Sequence, residues 1–113
     1  MDLLYSVQDV ERLKTLEAAS KVLSFETLRE IRRQPDIGIL GYVVIDRWAT
    51  YQPDDLKQLE QDGFLQLFHH VMKQQERECD VLLNRTYAAA ESHLTIHERL
   101  ALHEVDTRLI REF

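Results

Sequence analysis

Residues 37–48 constrain the fold class more than any other stretch of this chain. The run Ile37-Gly-Ile-Leu-Gly-Tyr-Val-Val-Ile-Asp-Arg-Trp48 is β-branched and carries two glycines, as a strand can. Ile37, Leu40, Val44, Trp48 and Tyr51 nevertheless also fit one helical stripe, and periodicity alone does not choose between the two. A strand must pair with another strand or leave its peptide groups unsatisfied. No second segment reads as strand, so the run is expected to be a buried helix and the chain all-α.

The remaining pattern is helical throughout. Ser6 opens a first amphipathic helix expected over 6–23, with Asp9 in its first turn and Val7, Val10, Leu13 and Leu16 at near-helical spacing. Ser24 caps a second, in which Phe25, Leu28 and Ile31 share a face until Pro35 ends it. Pro53 followed by Asp54 and Asp55 is a helix start, because proline's missing N–H costs nothing in the first turn and carboxylates suit the helix dipole there. That helix runs through Leu56 and Leu59 to Gly63.

Beyond Gly63, apolar or small residues from Phe64 to Ala90 keep a 3.6-residue register that only Gln75 interrupts. One long helix near 64–92 is expected. At 1.5 Å per residue it would measure roughly 43 Å, longer than the ~30 Å that a domain of this size spans, so it must kink or project. The polar stretch 73–80 within it is expected to cross solvent or to mark a break. Thr95-Ile-His-Glu98 is a capping box that opens a C-terminal amphipathic helix. Leu102, Val105, Leu109 and Phe113 line one of its faces, with Ile96, Leu100, His103 and Ile110 beside it.

The expected architecture is thus one compact bundle of about five helices, a single domain over 1–113. Three glycines, two prolines and no repeated or Ser/Gly-rich stretch leave no room for a linker. Gly38 and Gly41 would let helices approach closely. No apolar run reaches the ~18 residues of a membrane span, and Met1-Asp2-Leu3-Leu4 has no basic region of a secretory signal, so a cytoplasmic location is expected. The lone Cys79 excludes an intrachain disulfide.

Twenty acidic and fourteen basic residues give a net charge of −6, which disfavours general nucleic-acid binding. Residues 35–80 hold nine acids and four bases, and so carry −5 of it. Five histidines raise the question of a metal, and their spacing answers against it. His69 and His70 point about 100° apart on a helix, and the capping box at Thr95 places His93 outside the helix that holds His97. No second cysteine or duplicated Glu-x-x-His motif supports zinc or di-iron. Cys79 lies among Glu76, Glu78 and Asp80, which raise a thiol's pKa. With no nucleophile elbow and no phosphate-binding glycine loop, neither an enzyme nor a cofactor is expected.

Tyr5-Ser-Val-Gln-Asp-Val10 and Tyr51-Gln-Pro-Asp-Asp-Leu-Lys-Gln-Leu59 resemble helix-opening pieces of the MerR-type winged-helix regulators, over about fifteen residues. The resemblance implies DNA binding through the N-terminal helices, with Arg29, Arg32 and Arg33 as its basic feature. The chain departs from that family where a basic recognition helix and wing would stand: Leu16 to Leu23 intervene, and the stretch 41–48 holds only Arg47.

Tyr42, Trp48 and Tyr51 crowd into ten residues beside Asp54 and Asp55, and large aromatics of this kind dominate protein interfaces. The leading expectation is a small acidic, non-catalytic regulator or adaptor that binds another protein through these five residues, of antiactivator, inhibitor, immunity or chaperone type. A DNA-binding regulator and a metal-binding helical protein are the alternatives. An isologous homodimer is expected through Leu102, Val105, Leu109 and Phe113.

Overall fold

The computed structural model describes residues 16–110. They form six α-helices and no strand: α1 (Phe25–Arg33), α2 (Ile39–Tyr51), α3 (Pro53–Gln61), α4 (Phe64–Leu82), α5 (Arg85–Ala90) and α6 (Ile96–Leu102). None of these helices is long and apolar enough to cross a membrane.

Helix α2, the run that was ambiguous as sequence, is the centre of the fold. It buries Tyr42, Val44, Ile45, Trp48 and Ala49 and packs most extensively on α4, with α3 and the segment before α1 against its other sides. A helix apolar around most of its circumference has to be covered in this way. Leu28 and Ile31 of α1, Leu56 and Leu59 of α3, and Leu67 and Val71 of α4 complete one core.

Local chemistry sets the ends. Ser24 caps α1, its hydroxyl accepting from the Thr27 N–H, and Pro53 occupies the first turn of α3. Gly63 joins α3 to α4 at a φ of 117°, a left-handed value that glycine takes without strain. The capping box is made in full, with Thr95 and Glu98 each accepting the other's backbone N–H.

Gly41 seats α2 against α4. A Cβ there would collide with the Gln75 side chain and lie 2.6 Å from Ile37 Cγ2. Gln75, the one break in the apolar register of α4, accepts the Gly38 N–H at 2.9 Å and donates to the Asp36 carbonyl at 2.9 Å. It supplies partners for main-chain groups that the start of α2 leaves open.

Four expectations need correction. Of the helix expected over 6–23, residues 6–15 lie outside the described part, and 16–23 holds only a single 3₁₀ turn at Ala19–Lys21. Leu16 has a φ of 54°, which an α-helix cannot contain. The long helix near 64–92 is two: α4 stops at Leu82, a length of about 28 Å that fits the domain, and Asn84 caps α5 by accepting the Tyr87 N–H. The polar stretch 73–80 does not cross solvent, because Gln74 and Glu78 within it are buried against α2 and the C-terminal segment. Finally, α6 ends at Leu102, and Glu104, at a φ of 59°, turns the chain back so that residues 105–110 run without helix. Leu102, Val105 and Leu109 therefore share no helical face: Leu102 is exposed, Val105 half-buried, and Leu109 part of the core. Phe113 lies outside the described residues.

Candidate functional site

The segment 105–110 is seated by side chains that bind its main chain. Arg47 and Trp48 of α2 both donate to the Thr107 carbonyl, through Nε and Nε1, each at 3.2 Å. Gln52, at the end of α2, accepts the Leu109 N–H at 2.8 Å and donates to the Leu109 carbonyl at 3.0 Å, as a neighbouring strand would. From α4, Gln74 donates to the Asp106 carbonyl at 2.9 Å. Beneath this bracket the Arg47 guanidinium spans both oxygens of Glu78, and Gln74 donates to the same carboxylate at 2.7 Å. Helical spacing explains the set: Trp48 and Gln52 are four apart on α2, and so are Gln74 and Glu78 on α4.

A cleft lies on each side of the segment, and Arg108 borders both. The larger, of about 550 Å³, has Tyr51 and His97 at its rim and Arg47, Gln52 and Thr107 in its wall. Tyr51 is 78% exposed. The smaller, of about 50 Å³, lies between α4 and the segment and is lined by His70, Lys73, Arg77, Asp106 and Arg108 over Trp48. Hydrogen bonds from the Arg108 side chain and N–H hold the Asp106 carboxyl down at about 2, against a small opposing effect of burial.

The five residues expected to contact a partner do not form one surface. Tyr42 and Trp48 are core side chains, 8% and 2% exposed, because α2 is covered around most of its circumference. Tyr51 and Asp54 face solvent, and Asp55 is half-buried, accepting from Gln52 at 3.0 Å.

No three His, Cys, Asp or Glu side chains among the described residues are placed to hold a metal ion. His70 is buried with Nδ1–H aimed at the Gln66 carbonyl, 2.8 Å away, and its ring stands edge-on to that of His69. The thiol of Cys79 is pushed up by burial and by the charges of Asp80 and Glu78, the condition of an unreactive cysteine.

A second polar cluster ties α5 and α6 to α4. The buried Glu91 meets His103 at 2.7 Å and Arg99 at 3.4 Å, and Tyr87 packs on the His103 ring. Burial alone would raise the Glu91 carboxyl, but hydrogen bonds from His103 and Arg99 outweigh it and lower it. Arg99 also donates to the carbonyls of Val81 and Leu82, capping the end of α4. These contacts hold α5 and α6 to the end of α4.

Sequence reasoning missed Arg47, Gln52, Gln74 and Glu78. Their signal was present as polar residues inside otherwise apolar helical stripes. No protein-family model, curated protein or solved structure gives a match to this chain.

Proposed function

We propose that this chain is a small, acidic, non-catalytic cytoplasmic regulator or adaptor that acts by binding another protein, with the Tyr51 cleft as the contact surface. The observation that supports this reading most is the placement of Tyr51. Its ring projects beside a cleft of about 550 Å³ whose wall is fixed by the hydrogen bonds of Arg47 and Gln52 to residues 107 and 109. A tyrosine has only two side-chain torsions to fix and so loses little conformational freedom on binding for the area it covers, which is why such residues anchor interfaces. Asp54 lies exposed just beyond it in the first turn of α3. Antiactivator, inhibitor, immunity and chaperone roles are all compatible with this surface.

A homodimer belongs to the same proposal, with the exposed Leu102 and half-buried Val105 in its interface and Leu109 left to the core. Light scattering on Leu102→Glu is expected to show a fall from dimer to monomer mass with the helical circular dichroism intact.

Affinity capture from a native extract, run in parallel with wild type and Tyr51→Ala, tests the main reading. The expected result is one near-stoichiometric protein that wild type retains and Tyr51→Ala loses. Recovery of nucleic acid in place of protein, with binding that collapses as salt rises, would sink the reading in favour of DNA binding.

A further inference from the structure

Helices α1 to α4 each place side chains in the core cluster, whereas the segment 83–104, which carries α5 and α6, places none there. Helix α5 buries no residue and α6 buries only Leu100. Leu83, Ile96 and Leu102, the large apolar side chains at the ends of these elements, stay exposed. Both helices pack on α4, and Arg99 ties them to its last turn by donating to the Val81 and Leu82 carbonyls at 3.2 and 3.5 Å. The segment therefore commits little apolar surface to the helices beneath it.

Within itself the segment is bound more closely. Glu91, at the end of α5, is buried and meets Arg99 inside α6 and His103 at its end, and Tyr87 stacks on the His103 ring with centroids 4.1 Å apart. Elements that hold one another through a polar cluster, yet rest on a small apolar contact, open together while the remainder stays folded. Both ends of the segment suit a hinge. Leu83 ends α4 on the exposed surface, and Glu104 reverses the chain at a φ of 59° just before residues 105–110, which the bracket holds in place.

We infer that residues 83–104 open as one body about Leu83 and Glu104 and so act as a movable wall of the Tyr51 cleft. Arg47, Tyr51, Gln52, Thr107 and Arg108 line that cleft from α2 and the bracketed segment, and His97 lines it from α6. Opening withdraws His97 and leaves the other five in place, so the cleft widens on one side for an occupant larger than its resting shape admits. This consequence rests on the reading of the Tyr51 cleft as a contact surface, whereas the opening itself does not.

Native-state amide hydrogen exchange of the full chain in low urea, followed by NMR, tests the opening without any partner. Ala88, Glu91, Arg99 and His103 each donate a main-chain hydrogen bond to the residue four before, and serve as probes. The expected result is one shared opening equilibrium and one shared urea dependence for these four, with opening more frequent than at Ile45 and Trp48 of α2. Ile45→Val, a mild core truncation, should speed exchange in α2 and α4 several-fold and leave the four probes unchanged. Arg99→Gln should raise opening at the probes by about tenfold or more, as for the loss of a charge-assisted hydrogen bond. Probes that accelerate together with α2 in Ile45→Val would show a single cooperative unit and overturn the inference. Unequal equilibria among the four, which is fraying, or indifference to Arg99→Gln would overturn it as well.

Discussion

Arg47 meets Glu78 with both terminal nitrogens of its guanidinium, and spends its remaining Nε–H on the Thr107 carbonyl. Glu78 is 1% exposed, whereas the Arg47 side chain keeps 21% of its surface in water. The two ends of the pair are therefore unequal. Replacing Arg47 by Met strands a buried carboxylate and is expected to cost about 3–5 kcal/mol. Glu78→Ala should cost less, since Arg47 can turn outward. The double variant Arg47→Met with Glu78→Leu should recover most of the loss, in line with buried ion pairs that apolar residues can replace. Urea denaturation of the three variants measures this, and a double variant no more stable than Arg47→Met would contradict it.

Gly41 and Gly38 make a contrasting pair. Gln75 cannot simply swing away from a Cβ at position 41, because both ends of its amide are committed to Gly38 and Asp36. Gly41→Ala is expected to lower stability by about 1–3 kcal/mol, as overpacking does. At Gly38 the nearest atom to an added Cβ is 3.9 Å away, so Gly38→Ala should be close to neutral. Equal midpoints for the two variants in thermal denaturation would refute the close approach of α2 to α4.

Glu60 reaches from α3 to the cap of α1, where the Ser24 N–H donates to it at 2.8 Å and Lys57 lies 2.7 Å away. Burial pushes its carboxyl up, but hydrogen bonds from Lys57, Thr27 and Ser24 outweigh that and hold its pKa at about 2, down from 4.5. Because the folded value is the lower one, the contribution is present in full above the unfolded value and is lost as pH falls from about 4.5 towards about 2. Glu60→Gln should lose about 1 kcal/mol at neutral pH, allowing for solvent screening of a partly exposed group. Its stability should also depend less steeply on pH across that window. Parallel acid limbs for wild type and variant would count against the assignment.

Leu109 belongs to the core, so truncating it tests how firmly residues 105–110 are tied to the fold. Leu109→Ala should cost about 2–4 kcal/mol and increase amide exchange at residues 105–110. A variant of wild-type stability would show that the bracket holds the segment without its apolar anchor.

Much of the helical layout was legible because local signals were unambiguous. Ser24, Pro53, Gly63 and the Thr95–Glu98 box each mark an end that the fold uses. The helix at 37–48 followed from elimination, since a strand there had no partner. The C-terminal part was misleading for a physical reason. Residues 102, 105 and 109 keep helical spacing, and neither Gly nor Pro interrupts them, yet Glu104 takes a left-handed φ and the chain turns back. The groups that make this turn worthwhile, Arg47, Gln52 and Gln74, lie more than thirty residues away in sequence. The same distance concealed the candidate site, because Arg77 and Arg108 line one recess only after the turn at Glu104. Trp48 and Tyr51, three residues apart, have opposite environments for a simpler reason: α2 is covered on Trp48's side and ends at Tyr51.

The bracket around residues 105–110 touches peptide groups, apart from the burial of Leu109. Such a seat is indifferent to the identity of the residues at 107, 108 and 110, whose side chains border the two clefts. Those positions can be rewritten without moving the backbone that carries them. The segment thus behaves as an interchangeable strip set in a fixed frame, and what the surface recognises can change while the helices beneath it keep their sequence.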